Sequence, residues 1–244
     1  MKPSSSRLGL PVQNLALAAA LLGLLLPVAA NSVPSHGSSS PSWVSIGALP
    51  AAAAGAKLTF RRVFKSSTPE FIEISVQQNA DQGSYEIRQL EEDPEKLPFE
   101  VGEGLRAKMF ELAGQLNNFQ AQDLDVHRKI ANLGEKTFRW ELAGKSYEAT
   151  FNYTLNAAAS QLLQIFEGLA RQQELLMLLE RRMKYDRLGI NDALLQFEID
   201  LNRKLLPEPQ RALTTLDQIA GDSRFVEIGR QRARSLAERI RHPS

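Results

Sequence analysis

Cysteine is absent from the 244-residue chain. That removes disulfide staples, thiolate nucleophiles and cysteine-bound zinc or iron–sulfur centres together. Histidine is scarce: His36, His127 and His242 stand far apart, so the clustered imidazoles on which most metal sites and acid–base networks draw are missing. Neither sign of charge dominates. With 29 Lys and Arg against 28 Asp and Glu, the formal charge is +1, and there is no global field to recruit nucleic acid. No nucleophile elbow, His-Glu-x-x-His helix, P-loop or calcium loop is present. What is there is the composition of a protein able to bury a core: 43% hydrophobic and 23% charged residues.

The longest apolar run, Leu15 to Leu26, follows Lys2 and Arg7 and is broken only by Gly23. It falls short of the roughly 20 residues of a spanning helix. Pro27 stops it, and Val28-Ala29-Ala30 supplies small side chains before Asn31. This three-part layout predicts a secretory signal peptide over 1–30, cleaved after Ala30. The mature protein is then periplasmic or extracellular, with no transmembrane helix. Without a cysteine after the run, a lipid anchor is excluded. Residues 31–56 are Ser, Pro, Ala and Gly with only Trp43, Val44 and Ile46 as bulky apolar interruptions, which predicts a disordered linker.

From Lys57 the pattern changes to an α+β domain over 57–187. Leu58, Phe60 and Phe64, then Ile72, Ile74 and Val76, then Tyr85 and Ile87 alternate at period two and predict a three-strand antiparallel meander. Phe99 and Val101 lead into a helix carrying Leu105, Met109, Leu112 and Leu116 at helical spacing. A hairpin follows: Phe138, Trp140 and Leu142 share a face, Ala143-Gly144-Lys145-Ser146 turns, and Tyr147, Ala149 and Phe151 return. Trp140 is expected in the core. Asn156 then caps a long helix whose Leu162, Phe166, Leu169, Leu176 and Leu179 form one stripe. Residues 188–244 are expected to form a helical segment ending in a helical hairpin, with Gly221 as a stop and Asp222 as a new cap.

Three constellations invite chemistry and are discounted. Gly102-Glu103-Gly104-Leu105-Arg106-Ala107 matches a dinucleotide fingerprint, but no buried parallel strands flank it, and Glu103 would place a carboxylate at the pyrophosphate. Asp123, Asp125 and His127 would share a face on an extended stretch, yet they lack a supporting shell. Asn152-Tyr153-Thr154 is a glycosylation sequon only in form. No cofactor or metal is expected.

The strongest charge feature is the last helix. Arg224, Arg230, Arg232, Arg234, Arg239 and Arg241 outnumber Asp222, Glu227 and Glu238 by three. Arginines late in an amphipathic helix complement its dipole and solvate its polar face. Read instead as a contact for an acidic partner or lipid headgroups, Arg230, Arg234 and Arg241 are the candidate interaction surface.

The order of strands, helix, aromatic hairpin and Leu-rich helix between Leu58 and about Arg187 is similar to emfourin-like domains, small proteins associated with inhibition of secreted metalloproteases. The shared parts are the Phe99 to Leu116 segment, the hairpin Phe138 to Tyr153 and the helix after it. The helices beyond Gly189 and a first hairpin without a glycine-rich turn depart from that layout, and no inhibitory residue carries over. Abundant core-forming residues, little reactive chemistry and no cofactor fingerprint lead by elimination to the expected function, an exported, non-enzymatic module that binds another protein or an envelope component. One alternative is a secreted protease inhibitor. A second is an enzyme with a carboxylate-based site drawn from Glu91 to Glu95, Glu100 and Glu103.

Overall fold

The computed structural model describes residues 55–243. The expected signal segment and the linker up to residue 54 lie outside the described residues. Ala56, at the linker's end, already belongs to the fold: it is buried, and its carbonyl accepts from the Gln78 amide at 2.8 Å.

Six strands form one antiparallel sheet: β1 (Lys57–Val63), β2 (Phe71–Gln77), β3 (Gln82–Arg88), β4 (Leu97–Glu100), β5 (Glu135–Leu142) and β6 (Lys145–Phe151). Their spatial order is β4-β3-β2-β1-β5-β6. The meander and the later hairpin are thus parts of one sheet, sealed by pairing of β1 with β5, where Phe60 stands opposite Phe138. The brief touch-down at Phe99 is a true fourth strand on the meander, with Phe99 opposite Gly83. The β5–β6 turn is a two-residue loop in which Ala143 (φ 48°) and Gly144 (φ 78°) both take the left-handed region. That is the geometry a tight hairpin with right-handed strand twist requires.

Alternation sends Leu58, Phe60, Ile72, Ile74, Phe138 and Phe151 to one face. Two helices cover it: α1 (Glu103–Gln115) and the first half of α2 (Ala157–Tyr185). The centre is aromatic. Phe138 lies 5.2–6.0 Å, centroid to centroid, from Phe60, Phe119, Phe151 and Phe166. Trp140 is not part of this centre. It shares the face of Phe138 as expected, but it sits toward the strand end, half-buried and stacked on Tyr147 at 5.9 Å, and Leu142 beyond it is exposed. Trp140 and Tyr147 pack against the edge of the core, beside the fully buried Leu58 on β1.

Asn156 caps α2 as its sequence implies, its side chain accepting from the Ala159 amide at 3.1 Å. The helix then runs through two cores. Its first half packs on the sheet, while Leu175 and Leu179 enter a second cluster with α3 (Ile190–Asn202), α4 (Leu213–Gly221) and α5 (Glu227–Arg241). Asp222 does not cap α5, which starts behind Val226 without a side-chain cap. It instead accepts from the Arg224 amide and pairs with the Arg224 guanidinium, and those bonds hold its pKa down at about 2. No helix among the described residues is long and apolar enough to cross a membrane.

Candidate functional site

A hollow of about 770 Å³ forms a groove running along α2 between α1 and the chain that leaves α3. This volume lies in the range of about 300–1,000 Å³ typical of ligand sites. Leu105, Ile165, Leu205 and Pro207 give it apolar walls, and Gln161, Gln164, Arg171, Arg203 and Lys204 line its lip.

The wall from Arg203 to Glu208 is built by helix termination. α3 ends in a paired-bond turn: the Lys204 amide donates to the Leu201 carbonyl at 3.0 Å and the Leu205 amide to the Asp200 carbonyl at 3.0 Å. This arrangement puts the residue after the C-cap in the left-handed region, where glycine is the usual occupant. Here that residue is Lys204, at φ 56°. In the same motif the next residue normally covers an apolar partner back on the helix. Leu205 instead stays 47% exposed at the groove.

Past the turn the wall is locked to both layers. Gly168 of α2 lets it close in, since a Cβ there would lie 2.8 Å from the Leu205 carbonyl oxygen and 2.9 Å from Pro207. Glu208 is buried. Its amide donates to Gln172 at 3.0 Å, and its carboxylate accepts from the Gly102 amide at 2.9 Å, where α1 begins. A carboxylate at a helix N-terminus satisfies an orphan donor and meets the positive end of the dipole. Arg211 adds a contact to Glu100. The groove is therefore preformed.

Its charges are unevenly compensated. Arg171 is held by Asp200 at 2.6 Å and by Glu174 at 3.5 Å. Arg203 and Lys204 are exposed and form no ion pair among the described residues. Glu167 borders the groove from α2, with Arg62 3.8 Å away; burial pushes its pKa up, against the pull of Arg62 and Lys136. Burial likewise raises Glu174, against Arg171. Lys136 is itself buried. Burial lowers its pKa, and its ammonium donates to the carbonyls of Leu133, Gly134 and Asn152 at 2.9–3.0 Å.

The residues singled out in the sequence lie elsewhere. Arg230 pairs with Glu227 at 2.9 Å, and Arg241 pairs with Asp217 of α4 at 2.5 Å and with Glu238 at 3.2 Å. Arg234 is exposed and forms no ion pair among the described residues. Arg232 and Arg239 converge on Glu198 of α3. Most of the charge on α5 is thus spent within the helical segment. Glu91, Glu92, Asp93 and Glu95 are exposed on the loop before β4, and Glu103 is exposed in the first turn of α1. His127 and Asp123 pair at 2.6 Å, whereas Asp125 turns away to accept from the Asn152 and Tyr153 amides. The three therefore do not share a ligand face, and no metal-holding group of three or more occurs among the described residues. Gly102 opens α1 behind β4, an antiparallel edge strand, so the fingerprint lacks the parallel strand it needs.

The groove was hidden from sequence because its parts lie on α1, α2 and the α3 exit, brought together only by folding. Lys-Leu-Leu-Pro after a helical stripe marks a helix end, but nothing local shows that the lysine takes the glycine position. No family model matches the chain, and no curated protein matches its sequence.

Proposed function

We propose that the chain is an exported, non-enzymatic binding protein whose groove takes an acidic, partly apolar segment of another secreted or envelope protein. The observation that carries this reading is Lys204. A lysine at φ 56° stands where glycine costs least, beside an exposed leucine and a second unpaired cation. Departures from local rules of this kind concentrate at functional sites. The apolar walls supply burial, and Arg203 and Lys204 supply attraction for carboxylates at the lip. Should the occupant be a secreted metalloprotease, the protein would be an inhibitor, as its emfourin-like layout implies.

A photo-crosslinking residue at Gln164, exposed at the groove, tests the reading in the native envelope fraction. The expected result is a discrete protein adduct that fades as salt rises and is absent when the same group replaces Arg139 on the far face of the sheet. Equal adducts from both positions, or none from Gln164, would overturn it.

A further inference from the structure

The end of the helical segment away from the groove wall carries a second surface. α3 and α5 run in the same direction: Arg232 donates to Asn191 near the start of α3 at 3.1 Å, and Arg239 reaches Asn202 at its end. A Cβ on Gly229 would lie 3.1 Å from Ile190. The first turns of α3 and α5 and the last turn of α2 therefore share one end of the bundle. Leu188 (80% exposed), Tyr185 (74%) and Ile228 (59%) project there, three of the four most exposed large hydrophobic side chains among the described residues. This end is built from the turns linking helices, and a shallow hollow opens beside it between Lys184 and Thr214.

Its charge is also directional. Asp186 pairs with Arg182, Asp222 with Arg224, and Glu227 with Arg230. Arg181, Lys184 and Arg187 form no ion pair among the described residues, though Arg187 acts on Asp222 through space; within 180–192 and 222–230, Glu180 and Asp192 are the carboxylates left without an ion pair. The Lys184 ammonium lies 5.0 Å from the centre of the Tyr185 ring. An amphipathic aromatic beside a long cationic side chain is the pairing found where protein meets the headgroup region of a bilayer.

We infer that this end of the bundle docks on a membrane surface rich in anionic headgroups. Leu188, Tyr185 and Ile228 enter the interface, and Arg181, Lys184 and Arg187 remain at phosphate level. The geometry leaves the groove at the other end of α3 facing away from the bilayer, open to a protein partner.

Vesicle flotation with residues 47–244, the unit that contains both cores, tests this without the N-terminal apolar run. The probes are vesicles of phosphatidylcholine alone and of phosphatidylcholine with about one third phosphatidylglycerol. The protein should float with the anionic vesicles and not with the neutral ones. A cation near an anionic surface is worth about fivefold in partitioning, so the triple variant R181Q/K184Q/R187Q should lose on the order of a hundredfold. L188S/I228S should lose roughly tenfold or more, because it removes the inserted apolar groups. The four positions other than Ile228 are exposed and lie in or just before the α2–α3 turn, and Ile228 itself is mostly exposed, so unchanged circular dichroism melts are expected for both variants. Absence of flotation by the wild-type protein, or undiminished flotation of L188S/I228S, would overturn the inference. So would a wild-type self-association that L188S/I228S abolishes while vesicle binding is unaffected, which would assign this end to a second copy of the chain.

Discussion

Phe138 and Trp140 stand two residues apart on the same face of β5, and their surroundings separate them. Phe138 is fully buried among four other phenylalanines, while Trp140 is half-buried against Tyr147. Phe138→Ala should cost about 3–5 kcal/mol, as for other fully buried aromatics. Trp140→Ala, leaving a gap open to solvent, should cost only about 1–2 kcal/mol. Chemical denaturation of the two variants checks the order, and a Trp140 variant as damaged as the Phe138 variant would mean that Trp140 is as tightly packed as the core phenylalanines. Lys204 calls for the opposite experiment. Lys204→Gly relieves the left-handed strain at φ 56° and should stabilise the fold by about 0.5–1 kcal/mol while weakening partner capture. A loss of stability would show that the lysine is there for the fold and not for a ligand.

At the scale of elements, most of the architecture could be read from pattern because each element is amphipathic in its own period. Alternation in β1, β2 and β3, the hairpin around Gly144, and the Asn156 cap with its leucine stripe all declare themselves locally. What could not be read was the closure of the sheet through β1 and β5, which joins residues some eighty positions apart, and the passage of α2 from one core into the next. The second of these depends on which of many leucines meet the sheet and which meet α3 to α5. The charged residues were the least legible. The arginines of α5 look like a free surface in sequence but are mostly paired across to α3 and α4, whereas Glu167, silent in sequence, is partly buried beside the groove. Its folded pKa is raised above the ordinary 4.5, so the folded state holds its proton more tightly than the unfolded chain. Stability contributed by that proton is present below about 4.5 and is lost as pH rises through the folded pKa. Glu167→Gln, which imitates the protonated side chain, should therefore gain melting temperature relative to wild type as pH is raised from 5 toward 8. An advantage that shrinks over this range would mean that Arg62 outweighs burial.

For the molecule as a whole, the two cores share α2, and Glu208 ties the α3 exit to both α1 and α2. The groove is thereby held open by the same contacts that join the layers, and it presents charge that the rest of the molecule does not use. Charge reversal tests most directly the proposal that the groove binds a protein. Capture of partner from the native envelope fraction should be compared, at matched melting temperature, for wild type, R203E/K204E and R230Q/R234Q/R241Q. Reversing two exposed cations should leave folding almost unchanged, since exposed charges rarely exceed about 1 kcal/mol. The groove variant is expected to lose its salt-sensitive partner while the α5 variant retains it. Loss in the α5 variant with capture intact in R203E/K204E would contradict the account and return the interaction surface to the last helix.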